Sequence, residues 1–260
     1  MDSCKELEEM LTRLKLTAIR ERLDSLLDEA GRQDLNLRET LHFLCKAEVE
    51  HKEGRRIEMG TKIAHFPYVR TVEGFDFKSQ PSVDPKQIRE LTTCRWIANG
   101  DTVLMLGPPG VGKTHLSVAL GRKAIEEGYS VRFVNATALM TVLVKGRQEG
   151  RLEDRLSHFC KPKLLIVDEL GYLPFERDAA HLFFQLVSRR YEKGSIMLTS
   201  NRAVSEWGEV FGDGVVATAI LDRLLHHSHV LTIRGDSYRL QEKRRSGLVK
   251  TSKMIEKAAV

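Results

Sequence analysis

Residues 103–114 read VLMLGPPGVGKT, and this stretch constrains the chain more than any other. Four apolar residues suit a buried strand, but Gly107, Pro108, Pro109, Gly110 and Gly112 stop any strand or helix from continuing through them. So sharp a turn is useful where something must approach the backbone closely. Gly107, four residues, then Gly112, Lys113 and Thr114 fit the phosphate-binding loop pattern without a mismatch.

The rest of the chain from about residue 86 agrees with a strand–loop–helix setting. Strands alternate with helices there, which points to an α/β fold with a parallel sheet. DTVLML runs into the loop, and a helix is expected from Lys113 to about Glu127 with Gly128 as its stop. SVRFV, KLLIVDE, SIMLTSN and HVLTI read as strands. ATALMTVLVKG, AAHLFFQLVSRRYEKG and VVATAILDRLLHH read as the helices among them. Upstream, Leu7, Met10, Leu11, Leu14, Ile19, Leu23, Leu26 and Leu27 fall at helical spacing over residues 5–30, with Gly31 as a stop. Asn36 followed by Glu39 resembles a cap for a second, heavily charged helix over 37–59. HFPYVRTVEGFDFKSQPSVDP, rich in turn residues and aromatics, reads as a linker.

Composition narrows the class. With 42% hydrophobic and 30% charged residues over 260 positions, and no apolar run near membrane-span length, no membrane partner is expected. The polar, acidic N-terminus does not read as a secretory signal, so a cytoplasmic location is expected. Cys4, Cys45, Cys94 and Cys160 form no C-x-x-C and read as reduced thiols. The net charge of +5 permits a nucleic-acid partner without establishing one. It is unevenly spread: residues 1–90 hold 16 Lys and Arg against 18 Asp and Glu, while Arg223 to the end holds 9 against 3.

The loop implies a site. Its N–H groups would face one concavity, with the following helix adding the positive end of its dipole. Gly107, Pro108, Pro109, Gly110, Val111, Gly112, Lys113, Thr114 and His115 are expected around the nucleotide, with Lys113 reaching the β- and γ-phosphates and Thr114 ligating Mg²⁺. Asp168 ends the apolar strand LLIVDE, where a carboxylate would hold the same Mg²⁺ through water. Glu169 next to it would polarise the water that attacks the γ-phosphate. Asn201, ending SIMLTSN, would orient water or touch the γ-phosphate; a turn or helix-cap role is the alternative. NRAV stands where guanine specificity would call for N-K-x-D, which argues against a GTPase.

LGPPGVGKTHLSVALG, LLIVDELGYLPF, LTSNRAVSEW and TAILDRLLHHSHVLTIRGDSYR together resemble an AAA+ ATPase, and most closely the IstB-type transposition helpers and their DnaC-type helicase-loader relatives. The resemblance covers most of residues 70–245. It implies an AAA+ P-loop core, ATP as nucleotide, and a small all-α N-terminal domain. The expected division is 1–68 for partner or DNA interaction, a linker over 69–85, the ATPase domain over 86–247 and a basic tail over 248–260. It also implies a ring or spiral of identical subunits in which Arg223 serves as an arginine finger to the neighbour's site. Arg239, in SYR, is a weaker candidate for a second phosphate sensor. Such helpers would assemble on duplex DNA with ATP, engage a transposase and hydrolyse ATP; a helicase loader is the alternative, and a metabolite kinase a more distant one.

Three further clusters carry expectations. Lys145, Arg147, Arg151 and Arg155, with Lys161 and Lys163, could contact DNA phosphates, or form an ordinary solvated face. His226, His227 and His229 fall where a helix gives way to a strand, so their side chains are expected to diverge with no carboxylate to join them, against a zinc site. Phe66, Tyr68, Phe75 and Phe77 could stack on adenine or simply pack the linker onto the core.

Overall fold

The computed structural model describes residues 3–172 and 174–238. Arg239 and the basic tail lie outside the described residues. Two compact units divide between Met59 and Gly60.

The first unit contains α1 (Ser3–Arg13), α2 (Thr17–Arg32) and the start of α3 (Leu37–Ala64). The single helix expected over 5–30 is interrupted: Lys15 takes a left-handed φ of 55°, and α2 starts afresh two residues later. Leu16, at the N-cap of α2, has no side-chain acceptor to offer the first amides. Glu48 supplies it from α3, its carboxylate accepting the N–H groups of Thr17 and Ile19 at 3.1 Å each. The cap expected before α3 is present in full. Asn36 Oδ1 accepts from the amides of Arg38 and Glu39, and Glu39 returns a carboxylate to the amide of Asn36 at 2.9 Å. The buried apolar set is small: Leu11, Ala18, Ile19, Leu26 and Ala30.

In the second unit an irregular segment, residues 65–84, follows α3. Then come α4 (Pro85–Leu91), α5 (Arg95–Asn99), β1 (Thr102–Leu106), α6 (Lys113–Glu126), β2 (Val131–Asn135), α7 (Ala136–Gln148), α8 (Leu152–Cys160) and β3 (Leu164–Leu170). After these, α9 (Arg177–Arg190), β4 (Ser195–Ser200), a 3-10 turn (Val204–Glu206), α10 (Trp207–Phe211), α11 (Gly214–His226) and β5 (Ser228–Thr232) complete the order. All five expected strands form, parallel throughout, in the order β2-β3-β4-β1-β5. β1 and β4 are buried along their whole length, which is why they read as continuous apolar runs. Helix α8 is an addition to the expected pattern. Leu152, Leu156 and Phe159 form its apolar stripe, concealed in sequence by the charges of Glu153, Asp154 and Arg155.

The most deeply buried cation among the described residues, Arg190, is part of this core. Arg190 is 1% exposed and donates to the carbonyls of Phe159, Pro162, Lys163 and Ser195 at 2.7–3.1 Å. It joins the end of α8 to the starts of β3 and β4, and burial brings its pKa down to about 10. All four cysteines are free, as expected. Among the described residues no helix is long and apolar enough to cross a membrane.

Candidate nucleotide site

The order β3-β4-β1 brings the C-terminal ends of three strands together, and the expected loop turns out of β1 at this edge. Gly112 adopts φ 102° as the N-cap of α6, and a Cβ there would lie 2.6 Å from the Phe75 ring. At Gly107, φ is 153° and a Cβ would run into the Ile233 carbonyl. Glycine is therefore required at both, by backbone conformation and by close approach. Lys113 Nζ donates to the Gly107 and Pro108 carbonyls at 2.7 and 2.8 Å, which holds the ammonium across the loop.

The expected metal pair meets directly. Thr114 Oγ1 lies 3.0 Å from both oxygens of Asp168, which is 5% exposed. Burial pushes the Asp168 carboxyl pKa upward, opposed by the hydroxyls of Thr199 and Thr114, with the neighbouring Glu169 charge adding to the rise. Thr199 does more than the apolar reading of β4 suggested. Its hydroxyl donates to Asp168 Oδ1 and accepts the backbone N–H of Glu169 at 2.9 Å. Glu169 itself sits at φ 61°, where the β3–β4 register shifts between Val167 and Leu170. A left-handed glutamate costs about 1 kcal/mol, and here the turn swings its side chain out of the strand's alternation. Asn135, at the end of β2, then takes that side chain, its Nδ2 donating to Glu169 Oε2 at 2.7 Å.

Lys113, Thr114, Glu169 and Thr199 border a cavity of about 550 Å³, within the range of small-molecule sites. Its walls include Pro109 to His115, Glu169, Thr199 and Asn201, with Tyr68, Thr71 and Phe75 from the irregular segment. Asn201 Oδ1 is buried without a protein partner. A polar atom so placed fits an aqueous or ligand donor in the cavity. Of the four linker aromatics, Tyr68 and Phe75 line the cavity, whereas Phe66 packs edge-on to Phe133 at 6.2 Å and Phe77 on Phe75 at 4.9 Å. His115, expected around the nucleotide, lines the cavity and also ties the segment to α6: its Nε2 lies 2.9 Å from the Thr71 carbonyl and its ring meets Phe75 edge-on at 5.3 Å. Burial lowers the His115 pKa, so the ring favours its neutral form. After β5 the chain returns over the loop, with the Tyr238 amide donating to the Gly110 carbonyl at 3.0 Å.

Arg223 is elsewhere. It borders a small recess with Asn99, Gly100, Thr102 and Gly194, all at the starts of β1 and β4. The five residues of β1 separate it from the phosphate loop by about 16 Å. Its guanidinium covers the Phe184 ring at 4.7 Å and donates to the Ala219 carbonyl. The basic set on α7 and α8 is exposed or half-buried, and much of it is already paired. Lys145 lies 3.7 Å from Glu149, Arg147 3.4 Å from Asp178 and Arg151 4.0 Å from Asp154; Arg155 packs its Cγ beside Gly146.

Asn135, Thr199 and Thr71 were absent from the sequence expectation. Asn135 carries a usable signal, an amide ending a strand before a helix, but it reads equally as the α7 cap it also provides to the Thr137 amide.

Residues 9–246 match the family described as IstB-like ATP binding protein. The IS21 insertion-sequence ATP-binding protein of Pseudomonas aeruginosa is 49% identical over 244 residues, 94% of this chain and 92% of that protein. The IS5376 counterpart of Geobacillus stearothermophilus is 45% identical over 240 residues, 92% and 96%. Among solved structures, AMPPCP-bound DnaA from Aquifex aeolicus aligns with a TM-score of 0.53 over 74% of this chain and 60% of that one, at 21% identity. DnaI aligns at 0.54 over 66% and 93%, also at 21% identity. These two likenesses show a shared fold.

Proposed function

Because the chain belongs to the IstB-like ATP-binding family of insertion sequences, we propose that it is a Mg²⁺-dependent ATPase that assists DNA transposition. The observation that carries the reading is the convergence of Lys113, Thr114 and Glu169 on one cavity beneath a glycine loop, with Asp168 held 3.0 Å from the Thr114 hydroxyl. Lys113 and the loop amides bind the phosphates, and Thr114 with Asp168 would hold Mg²⁺, which supplies positive charge to the phosphate oxygens. Glu169 accepts a proton from the attacking water once Asn135 releases its carboxylate, and Asn201 helps to orient that water. Tyr68 and Phe75 border the part of the cavity suited to the base.

Arg223 supports self-association. Standing at the opposite edge of the sheet, it cannot reach its own chain's phosphates, but a neighbouring copy could receive it. In this reading ATP-bound copies assemble as a ring or spiral on duplex DNA, recruit a transposase and release it on hydrolysis. The exposed cations of α7 and α8 would touch the DNA backbone after exchanging their carboxylate partners for phosphates.

The test is mixing. Lys113→Ala and Arg223→Ala proteins should each be nearly inactive alone, while an equimolar mixture with ATP and duplex DNA should recover a measurable share of wild-type turnover. No recovery, with both variants folded, would overturn the shared-site reading. Mass photometry on the wild-type chain reports the assembly itself: large species that require both ATP and duplex are expected. Growth on single strands alone would favour a helicase-loader role.

A further inference from the structure

The histidine run at the end of α11 does not behave as its spacing predicts. His226 closes the helix, and His227 follows as its C-cap at φ −125°, ψ 90°. This turn brings the second ring beside the first instead of away from it, with centroids 4.2 Å apart. A carboxylate joins them from the turn between α9 and β4: Glu192 Oε1 lies 4.0 Å from His227 Nε2. One ligand atom from each of Glu192, His226 and His227 falls within 4.8 Å of the other two. His229 alone diverges as expected, towards Asp101 at 3.6 Å.

We propose that Glu192, His226 and His227 form a binding site for a divalent transition-metal ion of the zinc class. Two imidazoles and one carboxylate are borderline-soft donors that suit such an ion and not Mg²⁺. Bound at about 2.0–2.1 Å, tetrahedral ligands stand about 3.4 Å from one another, so the three side chains must close by up to about 1.4 Å. All three are exposed. Tyr191 provides an outer partner, its hydroxyl 2.7 Å from His226 Nδ1. Ligation through Nε2 keeps that bond, which orients the ring in the manner of protein metal sites. Solvent completes the coordination. The ion would clamp the α9–β4 turn to the end of α11, one helical turn beyond Arg223.

Zinc binding is read on the tag-free, full-length chain without nucleotide, so its outcome is independent of the ATPase reading. Titration of Zn²⁺ in competition with a chromogenic chelator should show one ion per chain with a Kd of about 1–10 µM. Glu192→Gln, which keeps shape and polarity, should weaken binding at least about 10-fold. His226→Ala/His227→Ala should abolish it, and His229→Ala should leave it unchanged. Absence of saturable binding below about 100 µM, or binding that survives the double substitution, overturns the assignment.

Discussion

Among the described residues each unit buries one carboxylate, and the two are treated in opposite ways. Glu48 is 3% exposed in the helical unit, Asp168 5% exposed in the sheet. Burial works against ionisation in both. At Glu48 it is outweighed by the amides of Ile19 and Ala18 and by Lys52, 3.5 Å away, and the pKa falls below its ordinary value. At Asp168 the partners are mainly hydroxyls, from Thr199 and Thr114, and the pKa rises. The difference lies in the donors. Backbone amides at a helix start cannot turn away and are matched to a fixed negative charge. A hydroxyl also offers lone pairs, so Thr114 can serve a cation that Asp168 attracts. One site is complete as folded, and the other is arranged to receive charge.

The most deeply buried cation of the sheet unit, Arg190, sharpens the contrast most. Arg190→Met should destabilise the second unit by about 3–5 kcal/mol in thermal or denaturant unfolding, because four carbonyls lose their donor together. A small effect would mean that water replaces the guanidinium easily.

Asp168→Asn follows. Turnover should drop by about 10²-fold, while unfolding without Mg²⁺ should be unchanged or occur at higher temperature, since a poorly compensated charge has been removed. A large loss of stability would make Asp168 a structural carboxylate like Glu48 and erase the distinction.

Glu48→Gln should do the reverse, costing the first unit about 1–3 kcal/mol with little change in nucleotide affinity. The pH dependence has a definite sign. A folded pKa below the unfolded one means that the unfolded chain binds more protons in acid. Stability from Glu48 is therefore present above the unfolded value and is lost as pH falls through the folded one. The protection of α2 amides against hydrogen exchange, relative to the unfolded chain at the same pH, should fall over that acid range in wild type, and the dependence should flatten in Glu48→Gln.

Much of the second unit was legible because its signals are local. A glycine that needs positive φ, an apolar run of strand length and a carboxylate at that run's end are properties of a few adjacent residues. The glycine loop, the five strands and the position of Asp168 and Glu169 towards the end of β3 were found that way. What escaped had partners far along the chain. Asn135 meets Glu169 across 34 positions, and Thr199 meets Asp168 across 31. Arg190 sat unmarked within a helix whose last turn is ordinarily basic. The break at Lys15 escaped for another reason: leucines on both sides kept helical spacing, while the acceptor that starts α2 lies on α3.

The amino-acid sequence alone determined a phosphate loop between a strand and a helix, in a parallel α/β sheet, since turn conformation and burial periodicity act over a few residues. Tertiary structure decided who meets whom. The order β2-β3-β4-β1-β5 sets Asn135, Asp168, Glu169 and Thr199 side by side at one edge of the sheet and leaves Arg223 at the other. Strand order arises from packing the whole chain around one core, and no short window of residues contains it.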